Sequence, residues 1–449
     1  MNKGTGKKLL YSSGNVAASL TASVFSTYVI FYYVDILKMP AYMVGLAMGI
    51  YGVWNAVNDP LLGQISDRTR SRWGRRIPYI LFGSVPFILF FMLIWTPPVG
   101  LIGGNIGLLF AYFIGIVFLY DTLYTLVIIN WTSLFPEMYK SLKERTQVSV
   151  FRQIFGILGN ILGVALPPII YSAIGWPAMG IGFGIISLLF LGFSLLGSKE
   201  DPVCGTANGL SFFQALKATF NNKSFIIYVA AAMFVQFTFV MLQAVLPFYA
   251  KYILKVEGFK VSLVLGAIFI SAMLWVVFWG KRTNKKGAKD TVILSTVLYG
   301  LAMIPFWFVS SFAGAVIASA MLGIGLAGLI VLLDVLLSDV IDEDELRTGI
   351  RREGMYFGIN GFMVRLAISF QSVIMGFVLS KSGYNAALPV DMQPSGAILG
   401  IKGLLVVVPL ISLLFAIILY RKYPLAGDKL HEIKAKLEQI HGEESGISG

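Results

Sequence analysis

The chain consists mainly of apolar blocks, each about 20 to 30 residues long, which are separated by short polar loops. A block of this length can cross the hydrocarbon core of a bilayer as an α-helix. Helices satisfy their own backbone groups, as lipid requires, and the blocks are too long for the alternating strands of a membrane barrel. Only 13% of the 449 residues are charged, against about a quarter in soluble domains. The pattern predicts an all-α integral membrane protein.

Twelve blocks can be counted along the chain. We place the predicted spans at residues 10–37, 42–65, 77–95, 101–135, 146–174, 177–196, 225–254, 261–279, 291–309, 312–341, 353–380 and 397–420. A long polar connection follows the sixth span. It predicts an N-terminal six-helix bundle at 1–197, a cytoplasmic linker at 198–224, a C-terminal six-helix bundle at 225–420 and a cytoplasmic amphipathic tail at 421–449. The first block is too long for the apolar part of a cleavable signal.

The basic residues lie in every second loop, most densely between Asp67 and Arg76, which contains five arginines. By the positive-inside rule these loops and both termini are cytoplasmic. The net charge of +12 therefore reflects topology, and we expect a lipid bilayer and no nucleic acid as partner. The single cysteine, Cys204, excludes disulfides within the chain. The two histidines, His431 and His441, lie in the tail, away from any buried proton path.

Span two contains a carboxylate at membrane depth, Asp59. Such a group costs several kcal/mol unless it is paired, protonated or ligated. Asn55, Asn58 and Asp59 follow the i, i+3, i+4 spacing of one helix face. Three oxygen-bearing side chains on one face could form part of the shell of a monovalent cation. The alternative is that Asp59 only caps or bridges neighbouring helices.

Span four has a second polar stripe, formed by Asp121, Tyr124, Thr125 and Ile128. Asp121 could assist a cation site or pair with a cationic residue across a cavity. A purely structural ion pair is equally open at this point.

Three motifs resemble one known family. They are Asn58-Asp59-Pro60 followed by the arginine loop, the segment from Ser338 to Gly354, and an opening that contains residues 11–14 and 31–35. In their order the chain resembles the glycoside–pentoside–hexuronide:cation symporters, the melibiose-permease-like branch of the major facilitator superfamily. The resemblance implies two six-helix halves and a secondary active transporter of the plasma (inner) membrane. By cation-coupled symport it would carry a glycoside, a uronide or a related sugar, which could be anionic, and it would work by alternating access. We expect a monomer without a cofactor other than the coupling ion, Na⁺ or H⁺.

The resemblance also implies a cation site formed by Asn55, Asn58, Asp59 and Thr125. The chain departs from the family at Asn55, where the best-known members have a second acid. One carboxylate still balances one monovalent charge, but the departure leaves H⁺, Na⁺ and Li⁺ open.

Arg152 on span five and Arg365 on span eleven match positions where the family has cationic sugar-site residues. A guanidinium offers paired donors to sugar hydroxyls or to an anionic group. The alternative for both arginines is an ion pair with Asp121 or Asp334, and we expect Asp334 to be buried in span ten. The full predicted substrate-binding set is Arg152, Arg365, Asp121, Tyr124, Ser19, Ile128, Trp131, Thr132, Ile330 and Asp334.

Several members of this set differ from the family pattern. Ser19 and Ile128 stand where melibiose-type members have acids, and Thr132 and Ile330 stand where many have aromatics. Asn15 likewise replaces an acid. The predicted cavity keeps its cations and loses acids and aromatics, which favours an anionic or partly apolar substrate over a neutral disaccharide.

The predicted cytoplasmic loops contain charges of both signs at matching places in the two halves. We expect ion pairs there that hold the inner side closed and break when the halves rock, although topology alone could explain these charges. The predicted gating residues are Asp67, Arg68, Glu144, Arg145, Asp342, Arg351 and Arg352.

Three other functions stay open. A cation-dependent carrier of a lysolipid or amphiphile would keep the fold and change the substrate. A membrane enzyme is the second, but it would need a catalytic nucleophile or a set of metal ligands, and the apolar spans show no such pattern. They also lack the phosphate-binding loop of an ATP-driven pump, which argues against that function. A membrane receptor or scaffold without net transport is the third.

Overall fold

The computed structural model of the chain describes residues 3–69, 71–139, 141–200, 219–349 and 352–447. Every regular element among these residues is helical, and no strand occurs in them. The prediction of an all-α protein is therefore confirmed.

The first nine α-helices precede the long polar connection. They are α1 Lys3–Ser12, α2 Gly14–Phe31, α3 Ala41–Arg68, α4 Ile77–Trp95, α5 Val99–Ile102, α6 Ile106–Met138, α7 Leu142–Ala165, α8 Pro167–Ile174 and α9 Trp176–Gly197. A π-helical turn, Tyr32–Ile36, continues α2. The predicted first span is thus divided into α1 and α2, and the predicted fourth span into α5 and α6.

The remaining helices follow the connection. They are α10 Lys223–Tyr249, α11 Phe259–Lys286, α12 Ala288–Leu301, α13 Pro305–Phe308, α14 Phe312–Thr348, α15 Glu353–Lys381, α16 Ser395–Lys402, α17 Val408–Lys422 and α18 Asp428–Ile447. Two π-helical turns, Ala250–Leu254 and Gly403–Val407, extend α10 and join α16 to α17.

Eleven segments of the described chain are long and apolar enough to cross a membrane. They are Thr5–Ile36, Ile77–Trp95, Ile106–Met138, Glu144–Ile174, Trp176–Gly197, Lys223–Leu254, Phe259–Lys286, Ala288–Phe308, Phe312–Thr348, Met355–Lys381 and Ser395–Lys422. Each overlaps one of the twelve predicted spans. The remaining predicted span is α3, whose apolar run is interrupted by Asn55, Asn58 and Asp59. The count of twelve spans stays a prediction.

The chain packs as two compact units. The first unit comprises Met1–Asn208, Gln243–Gly266 and Ser372–Ile401. Within it α2 packs on α7, and α6 packs on both α3 and α4. Glycines allow α2 and α7 to approach closely: a Cβ at Gly159 or Gly163 would lie 2.7 Å from a backbone carbonyl oxygen of α2. The glycine spacing in the sequence is typical of such close helix packing.

The second unit comprises Gly209–Leu242, Ala267–Gln371 and Lys402–Gly449. In it α12 packs on α14 and α17, and α18 packs on α14. Ile433 and Leu437 of α18 are buried, and Lys434 pairs with the buried Asp339 of α14 at 2.9 Å. The boundaries of the two predicted six-helix halves stay a prediction.

Candidate functional site

Five polar side chains of α3 and α6 meet inside the first unit: Asn55, Asn58, Asp59, Asp121 and Thr125. We call this group the α3–α6 polar cluster. The Thr125 hydroxyl donates to Asp59 Oδ1 at 3.1 Å, and Asn58 Nδ2 donates to Asp121 Oδ2 at 3.0 Å. Asn55 Nδ2 donates to the other oxygen of Asp121. The structure therefore brings together all four residues of the predicted cation site and adds Asp121 to them.

The cluster is largely shielded from solvent and rich in oxygen ligands. Asn55, Asn58, Asp121 and Thr125 are buried, and Asp59 is half-buried. The side-chain oxygen of Asn55 is buried and has no hydrogen-bond partner in the described chain, an arrangement that costs free energy. Carboxylate, amide and hydroxyl oxygens are the ligands that hard cations prefer. The arrangement can hold a small cation, which would supply the missing contact for the Asn55 oxygen.

The two helices are held in this register by neighbouring aromatic residues. Trp54 of α3 donates its indole N–H to the Thr122 hydroxyl of α6 at 3.1 Å and stacks on Phe118 at 5.4 Å. The Tyr51 hydroxyl accepts a 3.2 Å hydrogen bond from Asn55. At its start, α6 is capped by Asn105, whose side chain accepts the backbone N–H of Leu108. The polar residues that the sequence spaces at helical intervals therefore lie on one face of α3 and on one face of α6, and these two faces meet.

Arg152 of α7 lies against aromatic rings. Its guanidinium carbon is 4.6 Å from the centroid of Trp131 and 5.1 Å from that of Phe135. Its Nε atom is buried and has no hydrogen-bond partner in the described chain. A cation over an aromatic face is stabilised by the ring quadrupole, and the stabilisation grows as water is excluded. Arg152 is therefore a fixed positive group with an unused donor.

Trp131, on whose ring the Arg152 guanidinium packs, is itself held in place by Tyr11. It is buried, its ring stacks on Tyr11 at 5.3 Å, and its indole N–H donates to the Tyr11 carbonyl at 3.2 Å. The Tyr11 hydroxyl returns a 2.8 Å hydrogen bond to the Trp131 carbonyl. Next to it on α2, Asn15 donates to the Arg152 carbonyl at 2.7 Å. A direct contact between Trp131 and a substrate stays a prediction.

The other predicted substrate residues are divided between the two units. In the first, Ser19, Tyr124 and Ile128 are half-buried and Thr132 is exposed. In the second, Arg365 is half-buried, and Ile330 and Asp334 are exposed. The expectation that Asp334 is buried in span ten is wrong, because its side chain lies on an open face of α14. The roles of these residues stay predictions.

Comparison with protein families decides the class of the protein. The sequence profile of the family described as MFS/sugar transport protein, where MFS is the major facilitator superfamily, matches residues 10–427. The chain belongs to this family. The resemblance seen in the sequence motifs is thereby confirmed.

Curated relatives of this MFS transporter match it over nearly their whole length. The isoprimeverose transporter of Lactiplantibacillus pentosus is 26% identical over 98% of this chain and 93% of its own. A glucuronide carrier protein homolog of Escherichia coli (strain K12) is 24% identical over 95% of this chain and 94% of its own. The sodium-dependent lysophosphatidylcholine symporter 1 of Gallus gallus is 24% identical, over 98% and 90%.

Solved structures agree on the fold of the transporter. A D-xylose-proton symporter superimposes with a TM-score of 0.66 at 17% identity, covering 92% of this chain and 97% of that one. The nucleoside transporter NupG gives a TM-score of 0.65 at 16% identity, covering 94% and 98%. At such identities the likeness establishes the major facilitator fold and nothing about the substrate.

Some of the predicted gating residues of the transporter form contacts within their own unit. Glu144 pairs with Lys8 at 3.2 Å, and Arg145 donates to the Tyr139 carbonyl at 2.8 Å. In the second unit Arg352 binds both oxygens of Asp344, an acid of the same charged segment as the half-buried Asp342. The side chains of Asp67 and Arg68 and the whole of Arg351 lie outside the described residues. A gating role for the set stays a prediction.

Two acids that the sequence analysis did not single out anchor the arginine loop. Glu137 pairs with Arg75 at 2.7 Å and with Arg76 at 2.8 Å. Glu200, just after α9, accepts the backbone N–H groups of Arg75, Arg76 and Ile77 at 2.9 to 3.3 Å. A carboxylate at this place satisfies unpaired donors at the start of α4 and complements its dipole. The sequence does contain a signal for this contact: Glu137 and Glu200 follow predicted spans four and six, on the same predicted side of the membrane as the arginine loop.

A further buried acid lies elsewhere in the first unit. Asp35 is fully buried and accepts hydrogen bonds from Lys251 Nζ at 2.5 Å, from the Tyr384 hydroxyl at 2.6 Å and from the Tyr252 hydroxyl. We call these four residues the Asp35 cluster. Burial and the adjacent Asp35 charge raise the pKa of Tyr384, so its hydroxyl remains a donor. The signal in the sequence was an acid at the end of an apolar block, which needs a partner.

Proposed function

We propose that the protein is a secondary active symporter that moves a sugar bearing an anionic group together with a monovalent cation, by alternating access. The observation that supports it best is the α3–α6 polar cluster, which collects Asn55, Asn58, Asp59 and Thr125 in a family of sugar transport proteins. A cation gradient would supply the driving force.

The cation step is assigned to this cluster. Asp59 supplies a carboxylate, and the Thr125 hydroxyl and the buried Asn55 oxygen supply neutral ligands. Ion and substrate are coupled because a cation that tightens substrate binding must itself be bound more tightly by the same factor. Na⁺ is supported by the sodium-dependent relative, and H⁺ is the alternative coupling ion.

The substrate step is assigned first to Arg152. Its unused Nε donor and its fixed position over Trp131 offer a planar fork that fits a carboxylate or another oxyanion. The glucuronide carrier homolog among the relatives is consistent with such a substrate. Arg365 is proposed as a second cationic contact.

The test is uptake into proteoliposomes of two labelled probes, a glucuronide and isoprimeverose, with and without inward Na⁺ and H⁺ gradients. We expect gradient-driven uptake that favours the glucuronide, and loss of the gradient effect in Asp59→Asn. Arg152→Met should raise the KM for the glucuronide more than Arg152→Lys does, because lysine keeps the charge and loses the fork. A strong preference for the neutral sugar would overturn the anionic substrate. A protein that transports neither of these sugars nor a lysophospholipid under any gradient would instead support a receptor or scaffold.

Cation-dependent transport of a lysolipid is the second candidate. It is supported by the similarity to the sodium-dependent lysophosphatidylcholine symporter, which extends over 98% of this chain. The exposed Ile330 and the half-buried Ile128 would suit an acyl chain. Na⁺-dependent uptake of a lysophospholipid, without uptake of either sugar, would establish this function instead.

We further propose that the protein is a monomer of the plasma (inner) membrane with both termini and the arginine loop in the cytoplasm. The lone cysteine, Cys204, offers a test without mutation, since the linker that contains it should be cytoplasmic. A membrane-impermeant thiol reagent should label Cys204 in inside-out vesicles and leave right-side-out vesicles unlabelled. The reverse pattern would invert the proposed topology.

A further inference from the structure

The amides of the α3–α6 polar cluster are both directed at the carboxylate of α6. Asn58 Nδ2 donates to Asp121 Oδ2 at 3.0 Å, and Asn55 Nδ2 donates to Asp121 Oδ1. Asp59 instead accepts the Thr125 hydroxyl at 3.1 Å. The α3–α6 interface therefore holds two carboxylates, one from each helix, and each accepts at least one hydrogen bond from a neutral side chain of the other helix.

This arrangement argues against the other role considered for Asp121, direct contact with the substrate. Asp121 is 1% exposed, and each of its oxygens is engaged by an amide of α3. Amide N–H donors stabilise the ionised form of a carboxylate. The Asp121 carboxylate is thereby held against α3 at membrane depth, where a compensating cation would contribute most to its stability.

The orientation of Asn55 points to a ligand at the same place. Its N–H group is used on Asp121, while its oxygen is buried without a hydrogen-bond partner. Asn55 itself is 8% exposed, so water does not readily serve this oxygen. A cation beside the Asn55 oxygen and the Asp121 carboxylate would satisfy the acceptor and offset the charge together.

We propose that Asp121 is the second carboxylate ligand of the cation site, acting with Asp59 across the α3–α6 interface. The inference rests on the proposed cation-coupled function and assigns Asp121 to the ion instead of the substrate. Two carboxylates bind a monovalent ion more strongly than one, because each contributes an attractive term at short range.

Because Asn55 and Asp121 touch, the exchange of their functional groups gives a direct test. Asp121→Asn removes the second carboxylate, and Asn55→Asp combined with Asp121→Asn returns a carboxylate to the opposite side of the same contact. Asp59→Asn is the reference for the proposed site. Asp391→Asn is the matched control, an exposed carboxylate of the same unit that pairs with Lys255.

The measurement is titration of the purified, full-length protein with NaCl and with LiCl against a choline chloride background, by calorimetry and by thermal stabilisation. We expect Asp121→Asn to lower Na⁺ affinity by about tenfold or more, because the loss of even an outer group around a bound metal costs about 10- to 100-fold in affinity. The exchange variant should recover most of that affinity, and Asp391→Asn should match the parent. The ratio of Na⁺ to Li⁺ affinity should change in the exchange variant, because a ligand has moved, whereas loosened packing would weaken both ions alike.

The outcomes separate the two proposals. If Asp59→Asn loses Na⁺ binding and Asp121→Asn keeps it, the assignment of Asp121 fails and the proposed function stands. If Asp121→Asn loses binding and the exchange variant does not recover it, Asp121 only holds the helices together, and the assignment again fails. If the parent shows no response to Na⁺ or Li⁺, the assignment of Asp121 and the Na⁺-coupled form of the proposed function both fail.

Discussion

Replacement of Asp35 by alanine should destabilise the first unit far more than the loss of an exposed acid would. Asp35 is fully buried and accepts three hydrogen bonds, from Lys251, Tyr252 and Tyr384. Breaking a buried ion pair by removing one partner costs about 3 to 5 kcal/mol. The Lys251 side chain is 25% exposed and can regain some water, so we expect a loss near the lower end, about 3 kcal/mol.

The same unit provides a matched control. Asp391 pairs with Lys255, and their side chains are 76% and 59% exposed. An exposed pair contributes about 0 to 1 kcal/mol, so Asp391→Ala should be nearly neutral. The assay is thermal unfolding of detergent-purified protein, followed by intrinsic fluorescence. Asp35→Ala should lower Tm by several degrees and Asp391→Ala by about one degree or less.

A double-mutant cycle with Tyr384→Phe then tests the assigned partners. Residues in one hydrogen-bonded network couple by about 0.5 to 3 kcal/mol, so the Tyr384→Phe loss should shrink once Asp35 is alanine. The reasoning would be refuted if Asp35→Ala lowered Tm no more than Asp391→Ala, or if the two losses simply added.

Three further predictions use the same unfolding assay. Gly159→Ala should cost about 1 to 3 kcal/mol, because its new Cβ would lie 2.7 Å from a carbonyl oxygen of α2. Gly115→Ala, which meets nothing within 4 Å, should be neutral, and equal losses would contradict the packing argument. Lys434→Ala, which strips the partner from a buried aspartate of α14, should destabilise more than Lys436→Ala, whose partner is an exposed glutamate of its own helix. Glu200→Ala should cost about 1 to 2 kcal/mol through loss of its cap on α4, and an unchanged Tm would show that water replaces it.

The sequence predicted the helices well because lipid imposes a single rule on each of them. Predicted span 77–95 coincides with α4, and predicted span 312–341 begins where α14 begins. The ends differ where a helix continues past the apolar region: α11 extends to Lys286 and α14 to Thr348. Hydropathy detects the part of a helix that lies in lipid, whereas helical hydrogen bonding continues into water.

The α3–α6 polar cluster was predictable in part, because the i, i+3, i+4 rule places residues on one face. That rule does not predict which neighbouring helix packs against a given face. The sequence therefore left the partner of Asp121 open, and it wrongly placed Asp334 in the interior. The Asp35 cluster joins residues separated by 216 and 349 positions in the chain, and no local periodicity encodes such a pairing.

The contact between α2 and α7 has a mechanical consequence. At Gly159 and Gly163 the backbone of α7 lies directly against α2, so a shift of one helix along the other would bring larger side chains into this close contact. Arg152 belongs to α7, and its carbonyl is bound by Asn15 of α2. A motion that repositions Arg152 should therefore move α2 and α7 together as one rigid body.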